Sequence, residues 1–220
     1  MNREQTLEQL RRMLASEAAL LRQLKHDATH FGDHSDWPWI GLVLSAATRG
    51  GSWRWEKSVK PRYESELSWS AISQITAIER RRRLETVGRF WRKTATWLEQ
   101  AFAEVESAGG PMALRDKLDL MPASDVIAYW KSINDVKDKY ARNIMMDIYH
   151  PKFREDFFAI DSRLESLLPI LGYVGKRDYL SKERFLVELA RDVGVDAWDL
   201  DRLLYIKHSE LKQVSPINEV

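Results

Sequence analysis

The amino-acid sequence predicts an all-α protein. Apolar residues recur at three- and four-residue steps through most of the chain, as at Leu7, Leu10, Leu14, Leu21 and Leu24, and this spacing is typical of amphipathic helices. Runs that alternate apolar and polar residues, which would indicate strands, are nearly absent. Hydrophobic residues make up 44% of the 220 residues, so the helices can bury a core without disulfide bonds.

The first helices can be placed by their start and stop signals. The first helical segment ends at Gly32, where a polar cluster begins. The apolar stretch WPWIGLVLSAAT at 37–48 predicts a buried helix. Ser68 or Ser70 can cap the next helix, which is predicted to run through residues 71–88.

Helical patterns continue through the second half of the chain. The remaining predicted helices cover residues 90–108, 111–118, 122–133, 162–174, 181–194 and 196–213. Gly109 and Gly110 stop the first of them, and Pro111 and Pro122 open the next two. Almost every segment of the chain is therefore predicted to be helical.

The composition excludes several kinds of site. The chain has no cysteine, which rules out disulfide bonds, thiolate zinc sites, cysteine-ligated iron–sulfur clusters and a catalytic thiol. His26, His30 and His34 stand at four-residue intervals, but Gly32 interrupts the helix that would align them, so we predict no metal site and no cofactor. The N-terminus is charged, and no segment approaches 18 uninterrupted apolar residues. We expect a soluble, cytoplasmic protein, associated with the nucleoid if the source is a prokaryote.

A long loop, RGGSWRWEKSVKPRYESEL at 49–67, is predicted to contact nucleic acid. Because the net charge is only +1, such a surface requires local segregation of cations. Up to residue 62 the loop holds five cations, one acid and two tryptophans, a pattern suited to phosphate contact and base stacking. Core packing of the tryptophans is the alternative. The candidate phosphate contacts are Arg49, Arg54, Lys57 and Lys60, and the candidate stacking residues are Trp53 and Trp55.

The four consecutive arginines at 80–83 form a second basic candidate. Consecutive residues on a helix point all around it, so at most half of these side chains can face one ligand. A phosphate-binding face and a solvated helix face both stay open.

Two residues are candidates for chemistry. Lys139 follows a polar turn and falls in the first turn of a helix, where the helix dipole disfavours a cation and so favours the neutral, nucleophilic amine. Asp161 stands directly before an amphipathic helix, with Ser162 and Glu165 in capping-box spacing. Taken alone, Lys139 can be a surface lysine, and Asp161 or Ser162 can be an N-cap.

Together these segments resemble the helix-hairpin-helix DNA glycosylases, the endonuclease III-like superfamily. The family's hairpin has the form L-P-G-V-G-x-K-x-A, and this chain reads I-N-D-V-K-D-K-Y-A from Ile133 to Ala141. An apolar pair and an Asp that opens a helix follow in the family. Here that element reads A-I-D-S-R from Ala159 to Arg163. The stretch WIGLVLSAAT resembles the family's early buried helix, and the resemblance covers residues 37–175.

The resemblance implies a two-lobed fold and base excision. One helical lobe would span 37–155, and the other would combine 1–36 with 156–220. Lys139 falls on the family's catalytic lysine, which forms a Schiff base with C1′, and Asp161 on its catalytic aspartate, which stabilises the oxocarbenium ion. The two would face each other across the cleft between the lobes. We therefore expect a monomeric, bifunctional DNA glycosylase and AP lyase that flips a damaged or modified base out of double-stranded DNA.

The hairpin departs from the family pattern at two positions. Asp135 and Lys137 stand where the family has glycines, whose bare backbone lets amides approach a phosphate. Either Lys137 contacts the phosphate directly, which makes it a predicted DNA-binding residue, or this hairpin no longer grips DNA. The second case makes a catalytically inactive DNA-binding module the alternative, and a helical protein-interaction scaffold a third. Retention of both Lys139 and Asp161 in register favours the enzyme.

Overall fold

The structure, a computed structural model, describes residues 3–49 and 53–214. Within these residues it contains helices and turns and no β-strand, which confirms the all-α prediction. The described chain divides into two compact units. The hairpin unit spans residues 31–144, and the terminal unit combines the described residues up to 30 with those from 145 onward. These limits fall before the predicted ones at 37 and 155, and the cleft between the lobes stays a prediction.

The helices follow the predicted order, but the first predicted helix and the one predicted over 196–213 are each two helices. The helix predicted over 162–174 ends at Leu167. In chain order, the α-helices of the described residues are α1 (Arg3–Ser16), α2 (Ala18–Gly32), α3 (Trp39–Ala47), α4 (Trp69–Ser73), α5 (Ala77–Glu85), α6 (Trp91–Ser107), α7 (Pro111–Leu120), α8 (Ala123–Ser132), α9 (Asp138–Met146), α10 (Ser162–Leu167), α11 (Tyr179–Val193), α12 (Ala197–Ile206) and α13 (His208–Val214). Helix α2 ends at Gly32 as predicted. Helix α6 ends just before Gly109, whose φ of 95° suits glycine and confirms it as a stop signal.

The prediction of a loop at 49–67 is wrong for most of its length. The chain there forms two π-helical turns, Trp55–Val59 and Tyr63–Leu67, joined by a 3₁₀ turn at Lys60–Arg62. The first and last residues of both π-helical turns are buried, so apolar packing at four-residue intervals holds the segment in helical form. Residues 50–52 of the predicted loop lie outside the described residues.

The single helix predicted over 71–88 is two helices. Ser68 caps α4 by accepting a hydrogen bond from the Ala71 amide over 3.3 Å. Thr76 then caps α5 by accepting one from the Glu79 amide over the same distance. The second cap starts a new helix because the threonine hydroxyl satisfies an amide that a continuous helix would bond to a carbonyl.

Each unit has its own core. In the terminal unit, the leucine face predicted after Asp161 is buried at Leu164, Leu167, Leu168 and Leu171, together with apolar residues of α1, α11 and α12. In the hairpin unit, the Trp39 indole is fully buried. Most tryptophans are core residues, and the buried ones are Trp37, Trp39, Trp55, Trp97, Trp130 and Trp198. None of the helices in the described parts of the chain has the length and apolar character needed to cross a membrane.

Candidate active site

Helices α8 and α9 are joined by residues 133–137, which form the predicted hairpin. Ile133 and Val136 are buried, and the Val136 amide donates to the Ile133 carbonyl oxygen over 3.1 Å. Asp135 has a φ of 64°, in the left-handed region that favours glycine and that Asp tolerates better than most residues. Asp135 stands where the resembled motif has its first glycine. The turn therefore keeps a glycine-like backbone without a glycine.

Gln100 of α6 holds the entry to this hairpin. Its side-chain amide donates from Nε2 to the Ser132 carbonyl oxygen over 3.3 Å, and its Oε1 accepts from the Asn134 amide over 2.9 Å. One side chain thus satisfies a carbonyl at the end of α8 and an amide of the turn. The hairpin is therefore fixed to the helix beneath it.

Arg49, predicted to bind phosphate, lies against the hairpin. It follows α3 and donates from Nη2 to the Asp135 carbonyl oxygen over 2.8 Å. Its guanidinium carbon is 4.9 Å from the centre of the Trp97 ring and 5.1 Å from that of Tyr140. The Arg49 guanidinium thus contacts two aromatic rings and one carbonyl oxygen of the hairpin unit itself.

Lys139 lies in the first turn of α9, as predicted, directly after the hairpin. Its side chain is partly buried, and its Nζ is 4.3 Å from the centre of the Tyr140 ring. The negative face of an aromatic ring attracts a charged amine. The contact therefore favours the ammonium form of Lys139, whereas the helix dipole at the start of α9 disfavours it.

Asp138, the first residue of α9, forms two ion pairs. Its carboxylate pairs with Lys131 over 2.7 Å and with the buried Arg142 over 3.2 Å. Partial burial works to raise the pKa of the Asp138 carboxyl, but the pairs with Lys131 and Arg142 outweigh burial and hold that pKa below its usual range. Asp138 is therefore a fixed negative charge that ties α8 to α9.

Asp161 is the N-cap of α10. Its Oδ1 accepts hydrogen bonds from the Arg163 and Leu164 amides, each over 3.0 Å. Within the described residues Oδ2 has no hydrogen-bond partner. Glu165 pairs with Lys182 instead of closing a capping box with Ser162. The cap reading of Asp161 is confirmed, and one carboxylate oxygen is left for another role.

The segment that leads to Asp161 is held by side chains of α11 and its flanks. The Phe158 amide donates to Glu183 over 3.0 Å, and the Ile160 amide donates to the Tyr179 hydroxyl over 3.0 Å. Between them, the Ala159 amide donates to Asp201 of α12 over 3.2 Å. Both carboxylates are more than nine-tenths buried. Three consecutive backbone amides outside any helix are thus satisfied by side chains, which holds the segment that leads to Asp161 in place.

The remaining predicted DNA-binding cations are exposed or partly exposed. Lys57 and Lys137 lie at the surface of the hairpin unit. Lys60 is exposed and pairs with Glu56 over 3.1 Å, an exposed i,i+4 pair of little energetic weight. Arg54 lies 5.1 Å from the centre of the Trp53 ring. These four cations are available to a polyanion.

The two tryptophans predicted to stack on bases differ. Trp53 is 55% exposed, whereas Trp55 is 8% exposed and its ring lies 6.1 Å from that of Tyr63. The buried ring of Trp55 is part of the π-helical packing and does not offer a face to a base. Trp53 alone therefore stays a candidate for stacking.

A second exposed basic and aromatic segment was not predicted from the sequence. Residues 89–93, RFWRK, span the end of the connection from α5 and the first turn of α6, and all are exposed, with Phe90 at 55% and Trp91 at 47%. The turn is tight, because a Cβ at Gly88 would lie 2.9 Å from the Thr94 Cβ. The signal was present in the sequence as three cations and two aromatics in five residues.

The first turn of α6 has an unfavourable charge arrangement. It contains no acid, and its N-cap residue, Phe90, provides no side-chain hydrogen bond. Arg92 and Lys93 instead place two cations at the positive end of the helix dipole. An anion bound there would be attracted by both the cations and the free amides. The segment 89–93 is therefore a strong candidate for phosphate contact.

The arginines at 80–83 mainly contact other residues of the hairpin unit. Arg81 pairs with Glu99, and Arg83 pairs with Glu79 over 3.2 Å. The Arg80 guanidinium carbon lies 3.9 Å from the centre of the Phe102 ring.

Among the described residues, no group of three side chains is arranged to hold a metal ion.

No protein-family model and no curated protein matches the chain. Solved structures do. The 8-oxoguanine DNA glycosylase of Methanocaldococcus jannaschii superposes with a TM-score of 0.71 at 15% identity, over 96% of this chain and 98% of that one. The 8-oxoguanine DNA glycosylase of Thermotoga maritima gives 0.67 at 15% identity, over 93% and 96%.

This chain has the helix-hairpin-helix DNA glycosylase fold. A third match is the M. jannaschii 8-oxoguanine glycosylase/lyase in complex with a 15mer DNA containing 8-oxoguanine. It superposes with a TM-score of 0.66 at 15% identity, over 93% of this chain and 98% of that one. The likeness confirms, at the level of the fold, the resemblance predicted from the sequence. It also extends beyond the predicted 37–175 to nearly the whole chain.

Proposed function

We propose that this protein is a DNA glycosylase that removes a damaged base from duplex DNA, with 8-oxoguanine as the first candidate base. The observation that carries the proposal is Lys139 at the start of the helix after the hairpin, in a chain with the helix-hairpin-helix glycosylase fold. The neighbours named for 8-oxoguanine support the choice of base. A second candidate for chemistry, the Asp161 carboxylate, follows Lys139 by 22 residues.

Excision begins with the nucleotide outside the stack. The glycosidic bond cannot be reached inside a duplex, so the target nucleotide rotates into a pocket and the duplex is held open by protein. The exposed rings of Trp53, Phe90 and Trp91 in the hairpin unit are suited to stacking on bases left without a partner.

Asp161 supplies the negative charge for bond cleavage. As the bond between C1′ and the base nitrogen breaks, the base leaves with the bonding electrons and takes up a proton, and C1′ gains oxocarbenium character. A carboxylate held in a partly desolvated position stabilises that charge far better than one in water. The two amide bonds to Oδ1 keep Asp161 in place, and Oδ2 is the oxygen that would face the sugar.

Lys139 supplies the nucleophile. Its neutral amine attacks C1′ and loses a proton, after which the C1′–O4′ bond opens, O4′ takes up a proton and a Schiff base forms. Loss of a C2′ proton then expels the 3′ phosphate and cuts the strand. The helix dipole at the start of α9 favours the neutral amine that this step needs.

The DNA backbone is held by cations of the hairpin unit. The predicted contacts are Lys57, Lys60, Lys137 and Arg54, joined by the segment 89–93 at the amino end of α6. The cations at that helix end oppose the dipole in the free protein, and a bound phosphate would offset this repulsion.

Replacing Arg89, Arg92 and Lys93 by Ala should weaken DNA binding and flatten its salt dependence. The slope of log affinity against log salt should fall by up to about 0.9 for each phosphate that the variant no longer binds. The same measurement on a variant with Arg54, Lys57 and Lys60 replaced by Ala shows which of the two segments contributes more to DNA binding. A variant with Arg12 and Arg22 of the terminal unit replaced by Ala serves as the control. A slope equal to that of the wild type would show that segment 89–93 does not touch the backbone.

The proposed activity is tested with a panel of duplexes that each carry one lesion. The wild-type protein should release 8-oxoguanine, detected as strand cleavage after alkali, and should cut part of the product without alkali because Lys139 also gives lyase activity. A matched duplex with guanine should stay intact. If no lesion in the panel is released above that control although the protein binds the duplexes, the glycosylase assignment is wrong.

A further inference from the structure

The hairpin before Lys139 has a turn that needs outside support. Asp135 holds a φ of 64° that costs little for glycine and more for any residue with a Cβ. Among the described residues, the only backbone hydrogen bond within the turn runs from the Val136 amide to the Ile133 carbonyl oxygen over 3.1 Å. A further contact that fixes the Asp135 peptide would compensate for the missing glycine.

Arg49 makes that contact. Its Nη2 bonds to the carbonyl oxygen of Asp135, the residue with the left-handed backbone, across 86 positions of sequence. The same guanidinium lies on the rings of Trp97 and Tyr140, which are 6.5 Å apart and inclined by 44°. Two aromatic faces and one carbonyl thus define the orientation of a planar group, which a flexible ammonium could not match.

The contacts continue to the reactive lysine. Tyr140 directly follows Lys139, and the Lys139 Nζ lies 4.3 Å from the centre of the Tyr140 ring. Arg49 therefore touches both the turn before α9 and the aromatic side chain on which the Lys139 amine rests. A change at Arg49 would disturb the backbone and the side-chain support of Lys139 together.

We infer that Arg49 is a positioning residue: it braces the glycine-free hairpin through the Asp135 carbonyl and the Tyr140 ring, and so places Lys139. The catalytic consequence rests on the proposed function, whereas the brace itself does not. This role differs from the phosphate contact predicted for Arg49 from the sequence. A phosphate contact needs only a positive charge, but a brace needs the planar fork of arginine.

The brace is tested by hydrogen exchange at the Val136 amide in the free protein. Arg49→Lys and Arg49→Met should both speed exchange there by about tenfold, the loss expected for one hydrogen bond to a charged donor. Arg12→Met, a change of an exposed arginine in the terminal unit, is the control. In an Asp135→Gly background the same Arg49 changes should have a much smaller effect, because glycine adopts the turn without support.

The positioning role is tested by the rate of borohydride trapping at saturating lesion DNA. Arg49→Lys should slow trapping as Arg49→Met does, and Asp135→Gly should restore the rate in both. Exchange at Val136 that is unchanged in both Arg49 variants would overturn the brace. So would a result in which Arg49→Lys behaves like wild type while Arg49→Met loses affinity and salt dependence, because Arg49 would then be a phosphate contact. A wild-type protein that never traps would contradict the proposed function, and the exchange data would still decide the brace.

Discussion

Borohydride should trap the wild-type protein covalently on lesion DNA and leave the Lys139→Gln variant untrapped. Only a lysine that has formed a Schiff base with C1′ yields a stable secondary amine on reduction, and glutamine has no nucleophilic amine. The measurement is the shifted band of the protein–DNA adduct after denaturation. The expected change is from a readily detected adduct to none.

Lys137→Gln is the matched control for this experiment. It removes an exposed cation from the same hairpin, two residues before Lys139, so it should reduce DNA affinity without removing the adduct at saturating DNA. Circular dichroism of both variants checks that α9 still forms. Equal trapping by wild type and Lys139→Gln would exclude Lys139 as the nucleophile and point to another amine.

The elements around the hairpin could be predicted because local signals agree there. Pro111 and Pro122 open two short helices, a polar turn separates two apolar faces, and Lys139 falls in the first turn of the helix that follows. The cap at Asp161 was also readable, because an Asp before an apolar face is a strong helix start. Such features depend on residues within a few positions of one another.

The helical structure of segment 49–67 is hard to predict from the sequence because Gly, Pro and charged residues obscure its periodicity. Trp55, Val59, Tyr63 and Leu67 recur at four-residue intervals and are all buried, so the signal for a helical segment was present. The burial of Trp55 follows from that packing, and removes it from the stacking candidates.

The role of Arg49 could not be predicted from the sequence. Its contacts with Asp135, Trp97 and Tyr140 join residues far apart in the chain, and a basic residue in a basic segment resembles a phosphate contact. The left-handed backbone of Asp135 could not be predicted either, because an Asp in place of the glycine does not reveal whether the turn keeps its conformation. Tertiary contacts decide both points.

Asp161→Asn should reduce base excision by two or more orders of magnitude, about 2.7 kcal/mol or more of activation free energy, while leaving the protein folded. Asparagine is nearly isosteric and can accept the same two amide bonds through Oδ1, so the cap of α10 should survive with little change in the free energy of unfolding. What the variant loses is the negative charge, and with it stabilisation of the oxocarbenium ion. Affinity for lesion DNA should stay equal or rise, because a negative charge near phosphates has gone.

Asp178→Asn provides the matched control, because Asp178 caps α11 in the same unit through a 2.8 Å bond from the Ser181 amide. If both positions are only caps, the two variants should have equal stability and equal single-turnover excision rates. If Asp161 acts on the sugar, only Asp161→Asn should lose excision, and Asp161→Ala should lose excision and about 1 kcal/mol of stability besides. A folded Asp161→Asn protein that excises its best substrate at nearly the wild-type rate would reject the catalytic assignment, because a cap is then the whole role of the residue.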